Sequence, residues 1–197
     1  MIDRILKYFG IGRMKKSVAE RAPASNPKTS SIIRILKGDY LHQQGMDGLV
    51  FFLPEDLSWQ GPINTALLAR IGDKLDTYIL ENLDEPKRGH AFALPADMWD
   101  GPRLIVAIVP RWDGGLNDEE STFRACFRHI LLRAEEEQIG ILAIPALGAG
   151  RKDFPMQKAA RLTLGEIQSH VFRHIRELRI VCKSDDMLNE YRNLMKN

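Results

Sequence analysis

Apolar residues along the chain gather in six short runs, separated by stretches where they recur every three or four positions. The runs occupy residues 32–36, 49–53, 91–94, 104–109, 141–144 and 178–182. They are rich in β-branched side chains and mostly do not alternate with polar ones, the pattern of strands covered on both faces. Helical spacing marks residues 64–80, 121–137, 157–173 and 185–196. The last of these has Ser184 at its N-cap position and Asp185 and Asp186 in its first turn, a clear start signal. The order β-β-α-β-β-α-β-α-β-α predicts an α/β fold: a three-layer α/β/α sandwich with a mixed central sheet of about six strands.

Residues 1–30 follow a different pattern. Ile2, Ile5, Leu6 and Phe9 stand at helical spacing, and Pro23 and Pro27 then punctuate a Ser/Asn-containing linker. The division expected is a basic N-terminal extension and linker over 1–30 and one domain over 31–197. The net charge of +2 conceals +5 in the extension against −3 in the remainder. Such an arm suits a protein partner or an anionic surface. No apolar run approaches the ~20 residues of a transmembrane segment. Charges at Arg4, Lys7 and Arg13 break up any signal-peptide core. Cys126 and Cys182 both lie inside apolar patterns and provide no disulfide framework, which points to a reducing, cytoplasmic setting.

The richest chemistry lies in residues 139–155, IGILAIPALGAGRKDFP. An apolar strand breaks at Pro145 into a loop with Gly148, Ala149 and Gly150, and a helical pattern begins near Gln157. Small residues let backbone N–H groups approach an anion, and the helix start adds partial positive charge. Arg151 and Lys152 supply formal charge beside them. The chain has no GxxxxGK[ST] loop and no GxGxxG after an early strand, so neither Mg-dependent NTP hydrolysis nor a dinucleotide-binding Rossmann domain is supported. Glu166, His170 and His174 fall at i, i+4, i+8 without an HExxH motif or a cysteine cluster, and a semi-buried helix face is expected rather than a metal site. His42 and His90 lie near loops with no acid or nucleophile assigned to them, and both read as structural. No cofactor is implied.

These landmarks fall in one order that resembles the macro domain, the ADP-ribose-binding fold, over about residues 31–192. Lys37-Gly38-Asp39-Tyr40 is similar to the family's Gly-Asp-Ile after the first strand. Asp47-Gly48-Leu49-Val50 stands for its Asp-Ala-Ile-Val. Gln60-Gly61-Pro62-Ile63 looks like its first glycine-rich loop, and Val109-Pro110-Arg111-Trp112 like the segment after its central strand. Pro145-Ala146-Leu147-Gly148-Ala149-Gly150 with Phe154-Pro155 looks like its second loop. The resemblance implies a buried Asp39 carboxylate that accepts a hydrogen bond from the adenine amino group, with the Tyr40 N–H also facing the base. It implies that Gly148, Ala149, Gly150, Arg151, Lys152, Asp153 and Phe154 wrap the pyrophosphate, Phe154 lying near the distal ribose. Gly61 and Ile63 would close the other side.

The sequence departs from the family at several of these positions. Phe51-Phe52-Leu53-Pro54 replaces the family's Asn-Ala-Ala-Asn, so Pro54 stands where an Asn would hold the distal ribose. Only Gly61 survives of three glycines in the first loop, and Pro62 removes a backbone N–H. Asn64 replaces the Asp of one hydrolase subgroup and cannot act as a general base. Asp153 puts a carboxylate beside the pyrophosphate, to be offset by Arg151 or Lys152. The expectation is a divergent module that binds ADP-ribose or a related nucleotide diphosphate without hydrolysis. The alternatives are a noncanonical ADP-ribosyl hydrolase using Asp56 or Asp153, and an interaction domain whose pocket is filled by Phe51, Phe52 and Pro54.

Overall fold

The computed structural model describes residues 31–56, 61–72, 74–82, 87–148 and 154–196. The expected helix at residues 2–9, the linker and the loop residues Ala149, Gly150, Arg151, Lys152 and Asp153 lie outside them. The elements run β1 (Ile33–Lys37), β2 (Gly48–Pro54), α1 (Pro62–Ile71), α2 (Lys74–Asn82), β3 (Ala91–Ala93), β4 (Arg103–Val109), α3 (Glu119–Glu136), β5 (Ile141–Pro145), α4 (Met156–Ser169), β6 (Glu177–Cys182) and α5 (Asp185–Lys196). All six apolar runs are strands. They form one sheet in the order β1-β6-β5-β2-β4-β3, with β3 antiparallel to β4 and every other pair parallel.

Two apolar layers hold the sheet. On one face Val50, Phe52, Ile105, Leu142 and Ile180 meet Phe123, Phe127 and Ile130 of α3, Leu162 and Ile167 of α4, and Tyr191 of α5. On the other, Leu49, Phe51, Leu53, Val106 and Ile108 meet Leu67 and Ile71 of α1 and Leu75 and Ile79 of α2. Central strand β2 shows why its run does not alternate: Phe51 and Phe52 point to opposite faces and both are buried. Both phenylalanines thus pack within the two core layers, one on each face of the sheet.

Two helices depart from the periodic reading. The stretch over 64–80 is two helices, because Gly72 ends α1 at φ 68° with its N–H on the Leu68 carbonyl. The stretch over 157–173 stops at Ser169. The next residues turn back toward α3, where the Glu135 carboxylate accepts the N–H groups of Arg173 (3.0 Å), His174 (2.7 Å) and Ile175 (3.4 Å).

Candidate functional site

Parallel α/β sheets bind ligands outside the carboxyl ends of their strands, where successive connections leave in opposite directions. Here the chain leaves β2 toward β4 and β3, and leaves β5 toward β6, so the switch falls between β2 and β5. The two strands pair only at Gly48–Leu142 and Leu49–Ala143, although both run on along their outer neighbours. Tyr40 occupies the place where the ladder stops. Its hydroxyl accepts the Val50 N–H at 2.8 Å and turns its proton toward the carbonyls of Val50 (2.5 Å) and Ala143 (2.9 Å). The phenol is fully buried, and burial holds it protonated well above its ordinary range despite the Val50 bond. The sequence pointed only to the Tyr40 backbone; its side chain also joins β2 to β5 across the floor of the crevice.

Asp39, one residue earlier, departs from the buried carboxylate that the resemblance implied, since its side chain is 63% exposed. Its Oδ2 lies 2.9 Å from Nδ1 of His42, and its Oδ1 accepts the Leu41 N–H at 3.0 Å. The His42 bond is the main reason the carboxyl sits below its usual range. His42, read as structural from the sequence, is thus a direct partner of Asp39, and the i,i+3 Asp–His spacing was the signal for it.

The helices that follow β2 and β5 begin at the same edge of the sheet. Gly61, at φ 101°, precedes Pro62 at the start of α1, and Pro155 precedes Met156 at the start of α4. Neither N-terminus has a side-chain cap or an acidic residue in its first turn, whereas α3 opens with Glu119 and Glu120 and α5 with Asp185 and Asp186. Two helix starts without a side-chain cap thus belong to the strands that flank the crevice, and their partial charges favour an anion. Gly148 is confined to its role: at φ 108° it holds a conformation that side chains avoid, and a Cβ would lie 2.6 Å from the Met156 Cα. Phe154 is 4% exposed, with its ring 4.9 Å from Trp112 and 4.6 Å from Phe123, so it anchors the loop's end to the core. Ile63 is half-buried against the α1 layer.

Three further positions singled out in the sequence carry a side chain that is apolar or already engaged within the protein. Pro54 ends β2 with no polar side-chain atom to offer, and Asn64 donates to the Phe52 carbonyl at 3.3 Å. Asp56, the described member of the two hydrolytic candidates, is ion-paired with Arg111 from the segment after β4. Lys158, in the first turn of α4, pairs with Glu120 and lies 4.6 Å from the centre of the Trp112 ring.

The Glu166–His170–His174 face does not exist, because α4 ends between the first two. Glu166 pairs with Arg124 (3.0 Å) and His174 with Glu135 (3.0 Å). Among the described residues no group of three His, Cys, Asp or Glu side chains could hold a metal ion. Burial pushes the Cys126 thiol far up and Cys182 up to about 11, leaving both inert as nucleophiles. His129, unremarked in the sequence, bonds the Gly89 carbonyl through Nδ1 at 2.7 Å.

Comparison with known proteins agrees with this architecture. The Macro domain family model matches residues 54–163, more than half of the chain. The chain belongs to the macro domain family. An O-acetyl-ADP-ribose deacetylase of Salmonella typhimurium is 24% identical over 171 residues, covering 84% of this chain and 95% of the relative. A macro domain-containing protein of Acinetobacter is 30% identical over 96 residues, 48% of this chain and 52% of the relative. Among solved structures, the Oceanobacillus iheyensis macrodomain with ADP superposes with a TM-score of 0.74 at 18% identity, over 89% of this chain and 95% of that one. The Trypanosoma brucei macrodomain in complex with ADP-ribose gives 0.68 at 16% identity, over 85% and 72%.

Proposed function

We propose that this chain binds ADP-ribose or a related adenine diphosphate ligand in the crevice between β2 and β5, and that it does not hydrolyse it. The observation that carries the reading is the pair of uncapped helix starts, α1 and α4, on the strands that flank the crevice. Two partial positive charges suit a diphosphate better than a neutral ligand. In this reading Asp39 accepts the adenine amino hydrogen and the Tyr40 N–H meets the base. The loop from Gly148 to Phe154, with Arg151 and Lys152 balancing Asp153, surrounds the pyrophosphate. Gly61 and Ile63 close the α1 side.

Two side chains support the absence of turnover. Asn64 cannot take a proton and is committed to the Phe52 carbonyl, and Asp56 is engaged by Arg111. The deacetylases among the relatives favour a second reading, removal of an acyl group from an ADP-ribose ester, for which Asp153 remains the acid to examine.

Titration calorimetry of the full chain with ADP-ribose tests the first reading. Saturable micromolar binding is expected, about tenfold weaker or worse in Asp39→Ala. Incubation with O-acetyl-ADP-ribose should return the ester unchanged. Release of acetate, lost in Asp153→Asn, would establish the second reading instead. Flat heats up to millimolar ADP-ribose would refute the binding proposal.

A further inference from the structure

Beside the crevice, three side chains from two elements form a hydrogen-bonded series. His42 Nδ1 is 2.9 Å from Asp39 Oδ2, and Arg70 Nη2, in the last turn of α1, is 3.5 Å from His42 Nε2. A guanidinium only donates, so the ring nitrogen facing it is the acceptor. That puts the imidazole hydrogen on Nδ1, aimed at Asp39. With Leu41 N–H on Oδ1 at 3.0 Å, both carboxylate oxygens are held although the side chain stands in solvent. An exposed aspartate without such partners would lose rotamer freedom on meeting a ligand. Each oxygen still has a lone pair to accept a further donor.

We propose that His42, backed by Arg70, orients Asp39 for reading a purine amino group, and thereby sets a preference for adenine over a 6-oxo purine. The inference rests on the adenine-diphosphate reading above. An amino group at the purine 6-position donates to the fixed carboxylate. A carbonyl at the same position has no hydrogen to give and faces the carboxylate oxygen against oxygen. His42 is a positioning residue: it acts on the base through Asp39.

The test titrates ADP-ribose and its hypoxanthine counterpart, inosine diphosphate ribose, into the wild-type chain, His42→Ala and His42→Asn. The His42 side chain is 69% exposed, so both variants are expected to fold. Asparagine can place an amide N–H where the imidazole N–H stood. The wild type should prefer the adenine compound, and His42→Ala should shrink that preference about five- to tenfold, through weaker adenine binding alone. His42→Asn should restore most of it. An unchanged preference in His42→Ala, or equal loss in both variants, overturns the inference while leaving the binding proposal standing. So does a wild type that binds both compounds equally. Failure of the wild type to bind either compound overturns both.

Discussion

Helix α3 carries a carboxylate with the same task at each end, and the two perform it at different range. At its start, Glu119 accepts the N–H groups of Asp113 (3.0 Å), Gly115 (3.2 Å) and Asn117 (2.7 Å), all within six residues of itself. At its end, Glu135 accepts three N–H groups from residues 173–175, with the His174 imidazole as a fourth partner at 3.0 Å. Burial raises the pKa of each carboxyl, but the backbone donors outweigh it and leave both below the usual range. The local lock shapes a loop at the carboxyl edge of the sheet, where Gly114 and Gly115 (both φ 86°) and Asp118 (φ 58°) hold left-handed conformations. It sets Leu116, 88% exposed, near the segment that holds Trp112. The long-range lock joins the α4–β6 connection to α3 at the opposite edge. A carboxylate that closes its own loop makes shape, whereas one that closes a loop of some forty residues makes the domain cohere.

On that distinction, Glu135→Ala has the larger effect on stability. It removes the acceptor of three backbone N–H groups, one of them on the buried Ile175, and should cost about 2 kcal/mol in urea unfolding, with the whole domain melting earlier. Glu119→Ala should move the midpoint less but raise amide exchange sharply at Asp113, Gly115 and Asn117 while leaving β5 and β6 protected. A global loss of protection would erase the distinction. The smallest effect is on pH dependence. Glu135 has a folded pKa below its unfolded one, so its contribution is complete above the unfolded value and is lost as pH falls through the folded one. Wild-type stability should therefore decline from about pH 5 downward, and Glu135→Gln should decline less steeply over the same range. Identical slopes would place the acid sensitivity elsewhere.

The strands were legible because burial on both faces writes itself as an unbroken apolar run; Phe51 and Phe52 are the clearest case. Helix ends were less so. The α1 stop at Gly72 was written in the sequence, yet apolar periodicity continued across it through Leu75 and Ile79. The α4 stop was not, since the Glu135 lock comes from a residue some forty positions away. At the site, the loop composition pointed to Gly148, and the resemblance to macro domains pointed to Asp39 and Gly61. The i,i+3 spacing could hint at the Asp39–His42 pair but not at its exposure or at Arg70, which the fold brings from the last turn of α1 to His42. Nor could it reveal the Tyr40 hydroxyl, whose partners Val50 and Ala143 become neighbours only through the strand order.

That hydroxyl also bears on the order of assembly. Its bonds to Val50 span 10 residues of chain, and its approach to Ala143 spans 103. The first is cheap in loop-closure entropy, and the second must wait until β5 has docked. A nascent chain can therefore clasp Tyr40 onto β2 early. The crevice floor is completed only when the second half of the domain arrives, so the proposed binding crevice cannot take its final form before β5 has docked.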